Sequence, residues 1–173
     1  MSRSPAGSAR NLCEVTAPPL HEACAPIAFL LGTWRGEGVG GYPTMETFGY
    51  GEEVVFSHVG KPFLAYTQRT WALDDKRPLH GEAGYWRPQP DGGIEVVMAH
   101  PTGVTEIYYG TVDGTRIELA TDIVVRTTTA KEVTALKRMY GLVADKLMYA
   151  VDMAAVGQPL QAHLSATLAR VDE

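Results

Sequence analysis

Five histidines are the side chains of this sequence best suited to bind a metal: His21, His58, His80, His100 and His163. They are scattered along the chain, whereas the ligands of a zinc site usually recur at short, fixed spacings. The sequence also lacks the P-loop, G-x-G-x-x-G, G-x-S-x-G and H-E-x-x-H patterns. Neither a zinc site nor a common catalytic template is therefore indicated.

A single imidazole is still enough for a haem protein, because the porphyrin supplies four nitrogens and the protein adds one axial donor. The local pattern around His163 does not decide whether it plays this role. In an extended strand, His163 shares a face with Ser165 and Thr167, and Leu164 and Leu168 lie on the other face. Such simple alternation would leave His163 in solvent.

The acidic pair Glu52 and Glu53 is the other candidate for chemistry. Adjacent residues of a strand point to opposite faces, so these two carboxylates cannot act together on one substrate. We interpret them as a solvated edge or rim of the sheet.

Composition indicates one globular domain. The chain has 173 residues, of which 45% are hydrophobic and 20% charged, and its formal net charge is -5. This charge gives no reason to expect nucleic acid as a partner. Residues 26–31 are too short an apolar run to span a bilayer, and residues 1–13 lack the apolar centre of a secretory signal, so we expect a cytoplasmic protein that does not bind membranes. Cys13 and Cys24 are interpreted as incidental thiols, with a regulatory disulfide as the alternative.

The chain divides into an arm and a β domain. Residues 1–19 show no periodicity and predict a flexible N-terminal arm, and residues 20–173 predict a single β-barrel domain. Residues 20–31 fit a short helix that Gly32 ends. Ten β-prone runs follow, at 34–40, 47–59, 62–73, 80–89, 93–100, 104–112, 116–124, 133–143, 146–156 and 162–171. The last run also fits a short helix, because leucines recur at every fourth position from Leu160 to Leu168.

Short links between these runs predict antiparallel neighbours, and alternation within them predicts one dry face. A sheet of this size has exposed edges and an uncovered apolar face unless it closes. We therefore predict an all-β fold, a ten-stranded antiparallel up-and-down β-barrel like those of lipocalins and fatty-acid-binding proteins, with a sandwich as the alternative. A ten-stranded barrel should leave room for a ligand.

Several segments resemble motifs of the nitrobindins, a family of ferric haem-binding β-barrels. Residues 32–38, GTWRGEG, are similar to the family's G-x-W-x-G-x-G pattern, and Tyr42, Pro43 and Thr44 are similar to its Y-P-T. Trp34 could instead serve only to close the barrel. Further similar segments are 52–56, 58–64, 80–87, 99–103 and 153–164. The resemblance spans residues 26–170, and several ordered motifs are more specific than one.

The resemblance implies ferric haem b as the cofactor, with His163 as the axial metal ligand and the catalytic residue. It implies that Thr44 lies near the haem and that Lys131 lies near a propionate, although Lys131 also fits a solvated lysine. His80 would face the cavity without binding iron, and His100 and His58 are assigned to structure or surface. The implied activity is isomerisation of peroxynitrite to nitrate with reversible binding of nitric oxide, in a protein that could form a homodimer.

Two alternatives remain at this point. The first is a non-catalytic sensor or scavenger of nitric oxide. The second is a haem-free carrier of a fatty acid or another small lipid, because Arg138 and Tyr140 share a predicted strand face and resemble the carboxylate clamp of intracellular lipid carriers.

Overall fold

The computed structural model describes residues 18–171. Most of the predicted arm, 1–19, and Cys13 with its alternative disulfide lie outside the described residues. A 3₁₀ helix, Glu22–Leu30, precedes ten strands. They are β1 (Gly32–Tyr42), β2 (Met45–Ser57), β3 (Leu64–Ala72), β4 (Pro78–Pro88), β5 (Gly93–Ala99), β6 (Val104–Asp113), β7 (Arg116–Arg126), β8 (Val133–Val143), β9 (Lys146–Ala155) and β10 (Gln161–Val171).

The ten strands form one closed antiparallel barrel. Each strand pairs with its neighbour in sequence, and β1 pairs with β10 to close the sheet. The predicted up-and-down barrel is confirmed. The last predicted run is a strand and not a helix, because β10 pairs along its length with both β1 and β9.

Turn residues explain why the predicted runs and the observed strands overlap one for one. Ala144 and Asp145 both have positive φ, 47° and 61°, in the turn between β8 and β9. Gly114 has a φ of 56° in the turn between β6 and β7. Positive φ at such positions gives the turn a twist that matches an antiparallel hairpin.

The short helix packs into the barrel core. It is a 3₁₀ helix and is shorter than the predicted segment of 20–31. Ile27 and Leu30 are fully buried, and the indole Nε1 of Trp34 donates a 2.7 Å hydrogen bond to the carbonyl oxygen of Leu30. The Arg170 guanidinium lies over the Trp34 ring, 4.2 Å from its centroid. Trp34 thus packs against the helix and Arg170, and it does not line the cavity described below.

Two glycines of the GTWRGEG segment are required by close packing. A Cβ at Gly36 would collide with the backbone of β10 at Thr167, and a Cβ at Gly38 would overlap the ring of Tyr50. A side chain at either position would push the strands apart at the junction of β1 with β10 and β2.

Among the described residues, no helix is long and apolar enough to cross a membrane.

Candidate functional site: a histidine at the wall of an apolar cavity

The barrel encloses a cavity of about 740 Å³. This volume lies within the usual range for sites that bind small molecules and cofactors. Its apolar wall is formed by Met45, Phe48, Leu73, Leu79, Val104, Val133, Leu136, Val151, Met153 and Leu164. Three of the five histidines also line it, namely His80, His100 and His163.

A β-bulge turns His163 into this cavity. In the pairing of β10 with β9, Ala162 lies opposite Asp152, and Leu164 lies opposite Val151. His163 is the extra residue between these pairs, and both His163 and Leu164 line the cavity. A bulge of this kind changes the direction of a side chain without ending the strand. The simple alternation that would leave His163 in solvent is therefore wrong at this position.

A backbone carbonyl holds the His163 ring in one orientation. Its Nδ1 lies 3.0 Å from the carbonyl oxygen of Gly41. A carbonyl oxygen can only accept, so Nδ1 must carry the hydrogen and Nε2 keeps its lone pair. The Tyr42 ring packs edge-on against the imidazole at a centroid distance of 5.4 Å. The ring is thus anchored through one nitrogen, and the other is available to a ligand.

Burial favours the neutral form of this imidazole. Desolvation lowers the pKa of His163, and this outweighs the opposite effect of its hydrogen bond to Gly41. Neutral imidazole is the form that donates a lone pair to a metal.

The other two predicted site residues do not line the cavity. Thr44 is exposed in the turn between β1 and β2, and Lys131 is exposed in the loop between β7 and β8. In an up-and-down barrel these two links lie at the same end, together with the β9–β10 link beside His163. Their contacts with a cofactor stay predictions.

A charged network is buried in the barrel interior. The guanidinium of Arg138 donates hydrogen bonds to both carboxylate oxygens of Glu82, at 2.8 and 2.9 Å, and lies 3.4 Å from a carboxylate oxygen of Glu106. Burial by itself would raise the pKa of Glu82, but the charge and hydrogen bonds of Arg138 lower it to about 2. Tyr66 Oη donates a further hydrogen bond of 3.0 Å to Oε2 of Glu82, and Oε1 has Arg138 as its hydrogen-bond partner.

This network bears on the alternative of a lipid carrier. Arg138 and Tyr140 do share the inner face, as their spacing predicts. The guanidinium, however, already has Glu82 and Glu106 as its partners. A fatty-acid carboxylate would have to replace a buried carboxylate that is bound through two parallel hydrogen bonds.

The acidic pair of β2 lies on two faces, as predicted, but not at a solvated rim. Glu52 is fully buried inside the barrel and accepts hydrogen bonds from Gln68 Nε2 at 2.9 Å and Tyr149 Oη at 2.8 Å. Glu53 is only 8% exposed on the outer face, where it pairs with Arg35 and Arg69. The prediction of a solvated rim is therefore wrong for both residues, since each has partners that alternation does not reveal.

Glu52 and Glu82 differ in the direction of their pKa shifts. Burial raises the pKa of Glu52 to about 7, because its hydrogen bonds come from neutral groups and only partly offset the loss of water. A carboxylate with no cation in direct contact becomes easier to protonate when it is buried.

His80 and His100 lie side by side on the cavity wall. Their ring nitrogens, Nε2 of His80 and Nδ1 of His100, are 3.0 Å apart. The expectation that His80 faces the cavity agrees with this placement. Of the two assignments for His100, structure or surface, the surface assignment is wrong, because its side chain is only 6% exposed.

The sequence contains one signal for the buried network, a charged residue within an apolar alternation. Arg138 lies between Leu136 and Tyr140 on the inward face of β8, where every second residue is buried. Glu106 likewise lies on the inward face of β6. A charged residue at an inward position of an apolar face needs a buried partner. The identity of that partner depends on strands that are distant in sequence.

Comparison with known proteins places this barrel in a class. Residues 23–170 match the family described as the "THAP4-like, heme-binding beta-barrel domain". The chain belongs to this family of haem-binding β-barrels.

Similar proteins carry consistent names. A "Peroxynitrite isomerase" of Frankia casuarinae is 50% identical over 183 residues, which cover 99% of this chain and 97% of that protein. A "Peroxynitrite isomerase 2" of Mycobacterium avium is 57% identical over 156 residues, covering 87% and 96%. The crystal structure of Rv2717c from M. tuberculosis is 52% identical and superposes with a TM-score of 0.84, covering 89% of this chain and all of that chain.

The residues at the cavity fit a haem. An iron porphyrin needs one protein donor and an apolar enclosure, and the second ring nitrogen of that donor usually has a hydrogen-bond partner. His163 provides the donor, and Gly41 provides the partner. The ten apolar side chains of the cavity provide the enclosure.

Proposed function

We propose that this chain binds ferric haem b through Nε2 of His163, isomerises peroxynitrite to nitrate, and binds nitric oxide reversibly. The observation that carries the proposal is the orientation of His163, whose Nδ1 is held by Gly41 at the wall of an apolar cavity. The names of the similar proteins from Frankia casuarinae and Mycobacterium avium support the proposed reaction.

The chain's part in this reaction is to bind, orient and enclose. Ferric haem, when bound, supplies a Lewis-acidic iron that can polarise the peroxo oxygen of peroxynitrite. His163 would hold the cofactor in one position, because its ring is fixed by Gly41 and Tyr42. The apolar wall would limit access of water and keep the reacting fragments together. An isomerisation needs no net proton transfer, so an acid–base pair is not required.

Thr44 and Lys131 are proposed as further cofactor contacts. Both are exposed at the end of the barrel at which β10 begins, and His163 lies near the start of β10. The propionates of a haem are charged and are best placed where water can reach them, and a lysine ammonium there could pair with one. A cytoplasmic location and a homodimer stay predictions from the sequence.

Hemin titration tests the binding step. The wild-type protein should give a specific Soret band that saturates at one haem per chain. His163→Ala should weaken hemin binding by about 100-fold or more, since even the outer partners of a metal ligand typically contribute 10–100-fold. The matched control is His58→Ala, which removes a half-buried histidine that does not line the cavity. A haem-free lipid carrier would give no saturable band.

Stopped-flow kinetics test the reaction. Peroxynitrite decay should be faster with the hemin-loaded wild-type protein than in buffer, with nitrate as the product, and His163→Ala should lose this acceleration. An unchanged decay rate with saturating ferric protein would leave a sensor or scavenger of nitric oxide as the function. Reversible binding of nitric oxide is checked by spectral titration followed by removal of the gas.

A further inference from the structure

Three polar side chains on the cavity wall are arranged as a set of metal donors. We name His80, Glu82 and His100 the His80–His100 cluster. Each offers one ligand atom, and these atoms all lie within 4.8 Å of one another. Nε2 of His80 is 3.0 Å from Nδ1 of His100, which is 3.8 Å from Oε1 of Glu82. Two imidazoles and one carboxylate form a common donor set for divalent transition metals.

His100 also has an outer partner of the kind that metal-bound histidines use. Its Nε2 is 3.1 Å from Oε2 of Glu106. The ring is not aligned for a good hydrogen bond, and this buried nitrogen has no hydrogen-bond partner among the described residues. A carboxylate beside the second ring nitrogen orients a histidine and increases its basicity toward a metal. A small rotation of the ring on binding would complete the contact with Glu106.

The local charge favours a cation. Glu82 and Glu106 are buried carboxylates, and among residues 18–171 Arg138 is the one guanidinium that contacts both. This leaves one negative charge in excess among the three side chains. The site lies on the cavity wall, so an ion can reach it through the space that also leads to His163.

We propose that the His80–His100 cluster is a second metal site, which binds a divalent transition ion such as Zn²⁺ independently of His163. Nε2 of His80, Nδ1 of His100 and Oε1 of Glu82 are the protein ligands, and Glu106 is the positioning residue behind His100. A three-ligand site of this kind keeps a position open for water or another small ligand. The proposal goes beyond haem binding and does not depend on it.

Calorimetric titration with Zn²⁺ alone tests the site in the full-length, haem-free chain. The wild-type protein should bind one Zn²⁺ per chain. His80→Ala and His100→Ala should each bind at least about 100-fold more weakly, and Glu106→Gln should bind roughly 10–100-fold more weakly. The controls His58→Ala and His163→Ala should retain wild-type affinity. Co²⁺ should give visible d–d bands in the wild-type protein that are absent in His80→Ala.

Two results would overturn the proposal. Equal Zn²⁺ affinity in the wild type, His80→Ala and His100→Ala would show that these rings are not ligands. Loss of binding in His163→Ala with full binding in His80→Ala would place the ion at His163. Circular dichroism checks the fold of each variant, and if His100→Ala is unfolded, the Zn²⁺ titration and the Co²⁺ spectrum of His80→Ala decide. His163→Ala also separates the two proposals, because it should lose hemin binding and retain Zn²⁺ binding.

Discussion

Two buried carboxylates of the barrel interior, Glu52 and Glu82, occupy opposite electrostatic environments. Glu52 accepts hydrogen bonds from the neutral groups of Gln68 and Tyr149, and burial raises its pKa to about 7. Glu82 is also buried, but Arg138 lowers its pKa to about 2 against the effect of burial. One guanidinium therefore decides whether a buried glutamate in this barrel is held as an acid or as an anion.

Removal of that guanidinium should give the largest effect on stability. Arg138→Met leaves Glu82 and Glu106 buried without their cation, and such a change typically costs about 3–5 kcal/mol in the free energy of unfolding. Chemical denaturation measures this cost. The double variant Arg138→Met with Glu82→Gln should recover part of it, because one of the two uncompensated carboxylates is then replaced by a neutral amide. The exposed Arg87→Met serves as the control for the loss of an arginine.

The next effect depends on pH. The pKa of Glu52 is raised from 4.5 to about 7, so between these values the folded protein holds a proton that the unfolded chain has released. The contribution of Glu52 to the free energy of unfolding therefore falls as the pH rises through this window. Glu52→Gln should remove this loss and gain up to about 3 kcal/mol relative to the wild type between pH 5 and pH 8, since one pKa unit corresponds to about 1.4 kcal/mol.

Denaturation at several pH values compares the two proteins. Parallel stability curves for the wild type and Glu52→Gln across that window would contradict the assignment of Glu52 as the protonated carboxylate of the pair.

The smallest effect is expected on the outer face of the same strand. Glu53 is adjacent to Glu52, but its partners Arg35 and Arg69 have side chains that are 54% and 67% exposed. Exposed ion pairs usually contribute less than about 1 kcal/mol. Glu53→Gln should therefore change the free energy of unfolding by less than about 1 kcal/mol at neutral pH. A loss of stability as large as that of Arg138→Met would contradict the interpretation that ion pairs on the outer face of the barrel contribute less than the buried ones.

Much of the fold could be predicted because its signals are local. The hairpin at Ala144 and Asp145 needs only the two turn residues and the alternation on either side. The opposite faces of Glu52 and Glu53 follow from the geometry of one strand. The helix was the weaker case, because Pro26 and a short apolar run do not distinguish a 3₁₀ helix from an α-helix.

The site was less predictable because its contacts join distant strands. The direction of His163 depends on a bulge against β9, and Gly41, which anchors its ring, is 122 residues away in sequence. Arg138 contacts Glu82 and Glu106, which are 56 and 32 residues away. His100 shows no local sign that it lies beside His80, since that contact depends on the register of β5 against β4.

The sequence by itself determined the number and order of the strands and, through its ordered motifs, the family of haem-binding barrels. These features rest on alternation, turn residues and segments that can be read one at a time. The tertiary structure alone decided which polar side chains meet inside the barrel and that His163 faces the cavity. It also decided that Arg138 contacts Glu82 and not Glu52, which is why the pKa of Glu82 is lowered and that of Glu52 is raised. The physical reason is that closure of the sheet and one extra residue in β10 set the register between strands, and register cannot be read from either strand alone.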